Sequence, residues 1–143
     1  MERILIINGP NLNLLGTRQP DVYGNLTMES CLTSLREAYP DVTIDYYQSN
    51  VEGFIIDRLH GEALSAVPPR AIVLNAGAYT HTSLAIADAI ASISVPVIEV
   101  HISNIAAREA VRHTSMIAPV CRGSIAGFGL DSYRLAIEAS LKL

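Results

Sequence analysis

RILIINGPNLNLLGTRQPDVYG, residues 3–24, joins a short apolar segment to a long polar one. The apolar run Arg3–Ile7 predicts a buried strand of the kind found in parallel sheets. The segment Asn8–Gly24 predicts a loop, and loops of this length inside α/β domains are usually functional. Its glycines and prolines alternate flexible and stiff points, which favours a lid that closes over a site. The alternative is an ordinary solvated surface loop.

Beyond this loop, strand and helix patterns alternate about five times. The predicted strands are Arg3–Ile7, Val42–Tyr47, Ala71–Leu74, Val97–Val100 and, more weakly, Gly123–Ala126. Five helices are also predicted. Three of them have predicted ends: the first runs from a cap at Thr27 to about Tyr39, the third from Thr82 or Ser83 to about Ile93, and the fourth from a cap at Asn104 to about His113. The second is capped by Asn50 and has Phe54, Ile55, Leu59 and Ala63 on one face, and the last is capped by Asp131 and contains Tyr133, Ala136, Ile137 and Leu141. This alternation predicts one domain over residues 1–143, a three-layer α/β sandwich. Five units best fit a parallel sheet of flavodoxin-like order 2-1-3-4-5.

Composition narrows the class of protein. Half of the 143 residues are hydrophobic, which allows one adequate core. The net charge of −4 argues against nucleic acid and anionic membranes as default partners. We find no secretory signal at the start and no apolar run near the ~20 residues of a membrane span. Cys31 and Cys121 match no zinc or redox spacing, so we expect a soluble cytoplasmic protein with reduced thiols.

Polar side chains collect at the carboxyl ends of three predicted strands, the edge where open parallel sheets bind ligands. They are Asn8 and Asn11 after the first strand, Asn75 and His81 after the third, and Glu99, His101 and Ser103 at the fourth. Each has a structural alternative. A lone histidine at a strand end is more often structural than catalytic, and Asn75 before Ala-Gly could simply shape a turn. Glu99 shares a side of its strand with His101, and either orients that ring or is a satisfied buried acid.

Several kinds of chemistry lack the residues they need. The four histidines show no short metal-ligand spacing, which disfavours zinc. The only lysine, Lys142, lies beside the C-terminus and leaves no candidate for a Schiff base or a P-loop. The turn after the first strand lacks the glycine pattern of a dinucleotide fingerprint. Cofactor-free acid–base chemistry remains, because tyrosine, histidine, arginine and asparagine can move protons and stabilise an enolate.

Three segments, LIINGPNLNLLGTRQPDVYG, VLNAGAYTHTSLAIADAI and PVIEVHISNI with VRHTS, resemble the type II 3-dehydroquinate dehydratases in order and spacing. The resemblance covers most of the chain. It implies a flavodoxin-like fold without cofactor or metal, and dehydration of 3-dehydroquinate to 3-dehydroshikimate by anti elimination through an enolate. It also implies a homododecamer of four trimers, serving the shikimate pathway of aromatic amino acid biosynthesis or quinate breakdown. The chain departs from the family at Ala106, where many relatives have histidine, and over Met116–Gly123.

The resemblance also implies catalytic roles. Tyr23 would be the base that removes a C2 proton, and Arg18 would lower the pKa of Tyr23 from its usual ~10. Asn11 would hold the water that stabilises the enolate. His101 would be the general acid for the leaving hydroxyl, and Glu99 would orient it.

The implied substrate contacts come from four further parts of the chain. They are Asn75 with the backbone of Ile102 and Ser103 for the carboxylate, His81 and Arg112 for hydroxyls, and Asp88 from a neighbouring subunit. We expect the amides of Ile102 and Ser103 to open the predicted fourth helix, a position that suits anions. The helix Ser83–Ile93 is apolar almost all round apart from Asp88, which predicts a subunit contact there. Two other classes stay open: a flavodoxin-like module that binds a small anion without turnover, and a degenerate structural or regulatory subunit.

Overall fold

The computed structural model describes residues 2–16 and 27–143. Its sheet has five parallel strands in the order β2-β1-β3-β4-β5, which confirms the predicted flavodoxin-like order. The strands are β1 (Glu2–Asn8), β2 (Val42–Gln48), β3 (Ala71–Asn75), β4 (Val97–His101) and β5 (Gly123–Ala126).

Helices cover both faces of the sheet. They are α1 (Met28–Ala38), α2 (Glu52–Ala63), α3 (Leu84–Ala91) and α4 (Asp131–Ser140). Helices α1 and α4 pack on one face, and α2 and α3 pack on the other, which gives the predicted three layers. In the described parts of the chain, five short 3-10 helices connect these elements: Leu12–Leu14, Gly77–His81, Ile105–Ala107, Ala110–Arg112 and Ala118–Val120. None of the helices in the described ranges has the length and apolar character needed to cross a membrane.

Strand β1 lies inside the sheet and contributes to both cores. Ile4 and Ile6 pack in the core beneath α1 and α4, whereas Leu5 and Ile7 pack in the core beneath α2 and α3. All four side chains are completely buried. Because each face of this strand meets a helical layer, its sequence is continuously apolar rather than alternating. Burying each such side chain stabilises the fold by roughly 1.5–3 kcal/mol.

Two helix starts follow their predicted caps. The hydroxyl oxygens of Thr27 and Ser83 each accept a hydrogen bond from the backbone N–H three residues later, at 3.1 and 2.9 Å. These bonds satisfy amides that have no partner within the first helical turn. The end of α3 comes slightly early, at Ala91 rather than near Ile93.

Two other predicted caps are wrong. Helix α2 follows Val51, and the Asn50 side chain instead accepts a hydrogen bond from the backbone N–H of Asn11 (3.0 Å). Asp131 is the first residue inside α4, and its carboxylate pairs with Arg134 at 2.7 and 2.8 Å. In both cases the side chain bonds to a group other than the first helix amides, and for Asn50 this group belongs to a residue distant in sequence.

The predicted apolar face of α2 is only partly correct. Ile55 and Leu59 are fully buried, as expected for residues four apart on a helix. Phe54 is 55% exposed, so its assignment to that face is wrong. Adjacent helical residues lie about 100° apart, which directs Phe54 away from the sheet.

The predicted helix from Asn104 to His113 is also wrong. The segment forms two separate 3-10 helices, Ile105–Ala107 and Ala110–Arg112. The backbone is extended at Arg108 and Glu109, which breaks the helical hydrogen-bonding pattern between them. Asn104 does cap the first turn, because its Oδ1 accepts from the N–H of Ala106 (3.1 Å). A helix this short has little macrodipole, so the helix-based reason for anion binding beside it no longer applies.

Gly9, where the chain leaves β1, is expected to tolerate no side chain. A Cβ at this position would lie 2.6 Å from the carbonyl oxygen of Ala76, a backbone atom that cannot easily move. We predict that Gly9→Ala lowers the free energy of unfolding by about 1–3 kcal/mol, as measured by urea denaturation at fixed protein concentration. Gly61→Ala is the control, because α2 has open space there and alanine favours a helix by about 0.8–1 kcal/mol. Equal effects of the two substitutions would contradict the close approach of Gly9 to the Ala76 backbone.

Candidate active site

A cavity lies at the carboxyl ends of β1, β3 and β4, the edge predicted to bind ligands. Its walls are formed by Pro10, Asn11, Leu12, Asn75, Gly77, Ala78, His81, His101, Ile102, Ser103, Ile105, Arg108 and Arg112. Seven of the predicted site residues therefore line one cavity, although they come from three separate segments of the chain. This clustering supports the prediction that ligands bind at that edge of the sheet.

His101 is the innermost titratable group of the cavity wall. Its Nε2 lies 2.8 Å from Oε2 of Glu99, and both side chains are almost completely buried. The same carboxylate accepts hydrogen bonds from the hydroxyls of Ser115 (2.6 Å) and Ser124 (2.5 Å). Burial alone would raise the pKa of Glu99, but the hydrogen bonds from His101, Ser115 and Ser124 outweigh it and lower that pKa. An ionised Glu99 can only accept, so Nε2 of His101 carries the proton and Nδ1 is the other ring nitrogen.

The imidazole ring of His81 stacks on the ring of His101. The two imidazoles stack with their centroids 6.3 Å apart and their planes at 23°. Nδ1 of His81 is 2.8 Å from the carbonyl oxygen of Thr114, which can only accept a hydrogen bond. Nδ1 is therefore the donor, and in the neutral ring Nε2 remains an acceptor for a ligand hydroxyl.

Asn11 reaches the cavity through an unusual backbone conformation. Its φ of 69° is the only positive value at a non-glycine residue in the described ranges. Asparagine tolerates this left-handed region better than most residues. Asn50 fixes the turn, because its Oδ1 accepts from both the backbone N–H of Asn11 (3.0 Å) and Nε2 of Gln48 (3.0 Å). The same Nε2 also donates to the carbonyl oxygen of Gly9 (3.1 Å).

Asn75 closes the end of β3 and is only 3% exposed. Its Oδ1 accepts from the backbone N–H of Gly77 (3.2 Å), so the turn-shaping role considered from the sequence is present. Its Nδ2 donates to the hydroxyl of Tyr133 (3.0 Å). Asn75 thus combines a structural contact with a place in the cavity wall.

Two arginines give the cavity a cationic side. Arg112 was predicted, and its Nε forms an ion pair with Glu109. Arg108 was missed, and the one available signal was a second arginine in the segment that carries Arg112. The backbone is extended at Arg108, between the two 3-10 helices, and both arginines line the same cavity. Guanidinium groups suit a ligand that carries a carboxylate.

The remaining predicted residues do not line this cavity. Glu99 lies behind His101, as its proposed orienting role requires. Asp88 is exposed on α3 and outside the cavity of its own chain. Arg18 and Tyr23 lie outside the described residues.

A second groove offers less chemistry. It lies between α1 and α4, has a volume of about 460 Å³, and contains Cys31 with the Asp131–Arg134 ion pair at its edge. Burial, with a smaller contribution from Asp131, raises the pKa of Cys31 to about 11, so the thiol stays protonated and unreactive. Across residues 2–16 and 27–143, no group of three or more His, Cys, Asp or Glu side chains is arranged to hold a metal ion.

Comparisons with known proteins point to one family. Residues 2–141 match the family model described as dehydroquinase class II. The chain is 54% identical over 141 residues to a 3-dehydroquinate dehydratase of an Exiguobacterium species, covering 98% of this chain and 94% of the relative. It is 53% identical over 143 residues to the enzyme of that name from Ruegeria pomeroyi, covering 97% and 93%. The crystal structure of a type II dehydroquinase from Butyrivibrio crossotus superposes with a TM-score of 0.93 at 45% identity, covering 98% and 97%.

Ser124→Ala tests whether hydroxyl donors keep Glu99 ionised. Since the folded-state pKa of Glu99 lies below its ordinary 4.5, its ionised form stabilises the fold above that pH and stops doing so as the pH falls. A hydrogen bond to a charged group contributes about 1.5–3 kcal/mol. We predict that Ser124→Ala loses about this much stability at pH 7 and progressively less as the pH is lowered below 4.5, measured as the free energy of unfolding. The exposed Ser94→Ala is the control. A loss that does not change with pH would mean that Ser124 does not act through the Glu99 charge.

Proposed function

This chain belongs to the class II dehydroquinase family, and we propose that it dehydrates 3-dehydroquinate to 3-dehydroshikimate without a cofactor or metal. The observation that carries the proposal is the His101–Glu99 pair, set in a cavity that also presents Arg112 and Asn75. An acid supported by a buried carboxylate, beside donors for an anion, suits the removal of water from a hydroxylated carboxylic acid. A site that only binds an anion has no need of a buried histidine–carboxylate pair.

The acid half of the reaction belongs to His101. Its Nε2 proton is engaged by Glu99, so Nδ1 is the nitrogen that would carry the transferred proton. Glu99 holds Nε2 at 2.8 Å and so fixes the ring orientation from which Nδ1 would act. When Nδ1 delivers its proton to the leaving hydroxyl, water departs and the neutral imidazole stays bonded to Glu99.

The base half belongs to Tyr23, which we propose acts as a tyrosinate activated by Arg18. A phenol needs a nearby cation to ionise near neutrality, and arginine keeps its charge at any working pH. Proton removal at C2 generates the enolate, which a water held by Asn11 would stabilise. Acid and base acting from opposite sides of the substrate give anti elimination.

Substrate anchoring is proposed for the rest of the cavity. The carboxylate would bind Nδ2 of Asn75 and the backbone amides of Ile102 and Ser103. His81 and Arg112 would bind hydroxyl groups. Support comes from the hydrogen-bonding state of His81, whose Nδ1 is already committed to the carbonyl of Thr114 and whose Nε2 is left to accept.

We propose that the enzyme assembles as a dodecamer of four trimers, in which Asp88 completes the site of a neighbour. Four residues of α3 pack on its own sheet: Ile86, Ala87, Ala89 and Ile90. The opposite side of the helix exposes Leu84 (63%) and Asp88 to solvent. A largely apolar helix that still exposes a large side chain favours a contact with another copy.

The cellular setting is part of the same proposal. We place the enzyme in the cytoplasm, where the free thiols of Cys31 and Cys121 would remain reduced. The reaction serves either the shikimate pathway to aromatic compounds or quinate breakdown, and the neighbouring genes would distinguish these.

The proposal is tested by adding 3-dehydroquinate to the purified protein and following the ultraviolet absorbance of the enone product. We expect turnover that survives EDTA and borohydride, and a loss of more than about 10²-fold in His101→Ala because hydroxide is a poor leaving group without an acid. His60→Ala, an exposed histidine on α2, is the control. Binding without any enone would favour the anion-binding module. Activity that EDTA abolishes and zinc or magnesium restores would refute the metal-free mechanism.

Tyr23→Phe and Arg18→Ala test the base. Removing the phenol oxygen should abolish nearly all turnover while substrate binding survives. Arg18→Ala should slow turnover and move the limb on which activity rises with pH to higher pH, because the phenol then loses its proton less readily. Tyr39→Phe is the control, since its hydroxyl bonds Glu138 away from the cavity. Substantial turnover in Tyr23→Phe would exclude the tyrosinate, and an unmoved pH profile in Arg18→Ala would leave Arg18 a substrate-binding role only.

A further inference from the structure

A buried tyrosine stands behind the cavity wall and takes no part in the steps proposed for the reaction. Tyr133 projects from α4 into the core and is completely buried. Its hydroxyl contacts the last side chains of two neighbouring strands. It donates to Oδ1 of Asn8 (2.7 Å) and accepts from Nδ2 of Asn75 (3.0 Å). Asn8 and Asn75 are themselves paired across β1 and β3.

The direction of every hydrogen bond in this cluster is forced. The backbone N–H of Gly77 can only donate, so the Asn75 atom that it meets at 3.2 Å is Oδ1. Nδ2 of Asn75 therefore faces Tyr133, which leaves the tyrosine's one proton for Oδ1 of Asn8. Nδ2 of Asn8 then points to the hydroxyl of Tyr46 (3.2 Å). Hydrogen bonds that share one direction polarise and strengthen one another.

Packing alone does not explain the hydroxyl of Tyr133. A phenylalanine would fill the same apolar space, whereas an unpaired buried hydroxyl costs several kcal/mol. Burial raises the pKa of Tyr133 far above its usual value, so the group stays a phenol and keeps its proton. The hydroxyl is thus a permanent donor and acceptor held between two asparagine side chains.

The effect of this contact falls on Asn75. The backbone of Asn75 is fixed by β3 and by the N–H of Gly9, which donates to its carbonyl oxygen at 2.7 Å. The side-chain amide is fixed at Oδ1 by Gly77 and at one N–H by Tyr133. Among residues 2–16 and 27–143, the other N–H of Nδ2 has no partner, and Asn75 lines the cavity. The amide therefore presents a donor, and the flip that would present an acceptor is blocked at both ends.

We propose that Tyr133 is a positioning residue that holds the Asn75 amide in the orientation that binds the substrate carboxylate. This inference rests on the proposed function, because it takes the carboxylate of 3-dehydroquinate as the ligand of Asn75. Without the hydroxyl, Nδ2 of Asn75 loses a buried acceptor, and only the N–H of Gly77 still holds the amide. Its second N–H is then no longer presented to the ligand in advance.

Two tyrosine-to-phenylalanine variants provide a matched test. Tyr133→Phe removes the contact with Asn75, whereas Tyr46→Phe removes a bond to the same Asn8 and leaves Asn75 untouched. We expect Tyr133→Phe to raise KM about tenfold with kcat within about threefold of wild type, as for loss of an interaction shared by ground and transition states. We expect Tyr46→Phe to keep KM within about twofold. Both should lower the melting temperature, so stability alone cannot produce the difference.

A double-mutant cycle excludes a purely structural role. In an Asn75→Ala background the effect of Tyr133→Phe on KM should vanish, because Tyr133 acts only through that amide. An unchanged KM in Tyr133→Phe, or a rise that persists fully without Asn75, would overturn the proposal. Should Tyr133→Phe fail to fold, Tyr133→Met carries the same test, since it removes the same hydroxyl and fills the space with a flexible apolar side chain. An unchanged KM in that variant would also overturn the proposal.

Crystal structures of the two variants separate this inference from the proposed function. We expect the Asn75 amide to leave Gly77 in Tyr133→Phe and to keep its place in Tyr46→Phe. If the wild-type protein does not turn over 3-dehydroquinate, the proposed function fails, and the amide orientation alone then decides whether Tyr133 positions Asn75. An Asn75 amide that is identical in wild type and Tyr133→Phe would refute the positioning role under either outcome.

Discussion

The parallel pairing of β1 with β3 brings Asn8 and Asn75 side by side, and the rest of the site depends on that pairing. The helix that follows β1, α1, packs on one face of the sheet, whereas the helix that follows β3, α3, packs with α2 on the other face. A crevice opens where such a switch occurs. The cavity lies in this crevice, and the buried hydroxyl of Tyr133 hydrogen-bonds to both asparagine side chains. Topology therefore determines where the site is, and the buried hydrogen bonds determine which polar atoms face it.

Much of this arrangement could be predicted from the sequence, because it follows from local patterns. The run Arg3–Ile7 is apolar at every position except its first, which fits a strand buried on both faces. Thr27 and Ser83 cap their own helices, so their role is visible within four residues. The prediction of helix caps failed where a side chain forms its hydrogen bond with a residue distant in sequence. Asn50 binds a backbone amide 39 residues away instead of capping α2. Residues 104–113 contribute to the cavity wall, and they form two short 3-10 helices instead of one continuous helix.

In the site too, features set by local sequence could be predicted, and contacts between distant residues could not. Strand ends placed Asn75 and His101 at one edge, and the family resemblance supplied their roles. The partners behind them were not visible. Ser115 and Ser124 meet Glu99 from segments 16 and 25 residues away, and serine carries no sequence signal for such a contact. Tyr133 occupies a core position of an amphipathic helix, where a tyrosine is ordinarily read as packing. Only the structure shows that its hydroxyl reaches a partner 125 residues away.

In the proposed mechanism, a preorganised donor set at the ends of β1, β3 and β4 receives the carboxylate of the substrate beside His101. The most direct measurement is a crystal structure with a 3-dehydroquinate analogue that lacks the leaving hydroxyl. We predict a carboxylate oxygen within hydrogen-bonding distance, about 2.7–3.2 Å, of Nδ2 of Asn75 and of the amides of Ile102 and Ser103. A carboxylate bound away from Asn75, with the Asn75 amide engaged only by Gly77 and Tyr133, would contradict this mechanism.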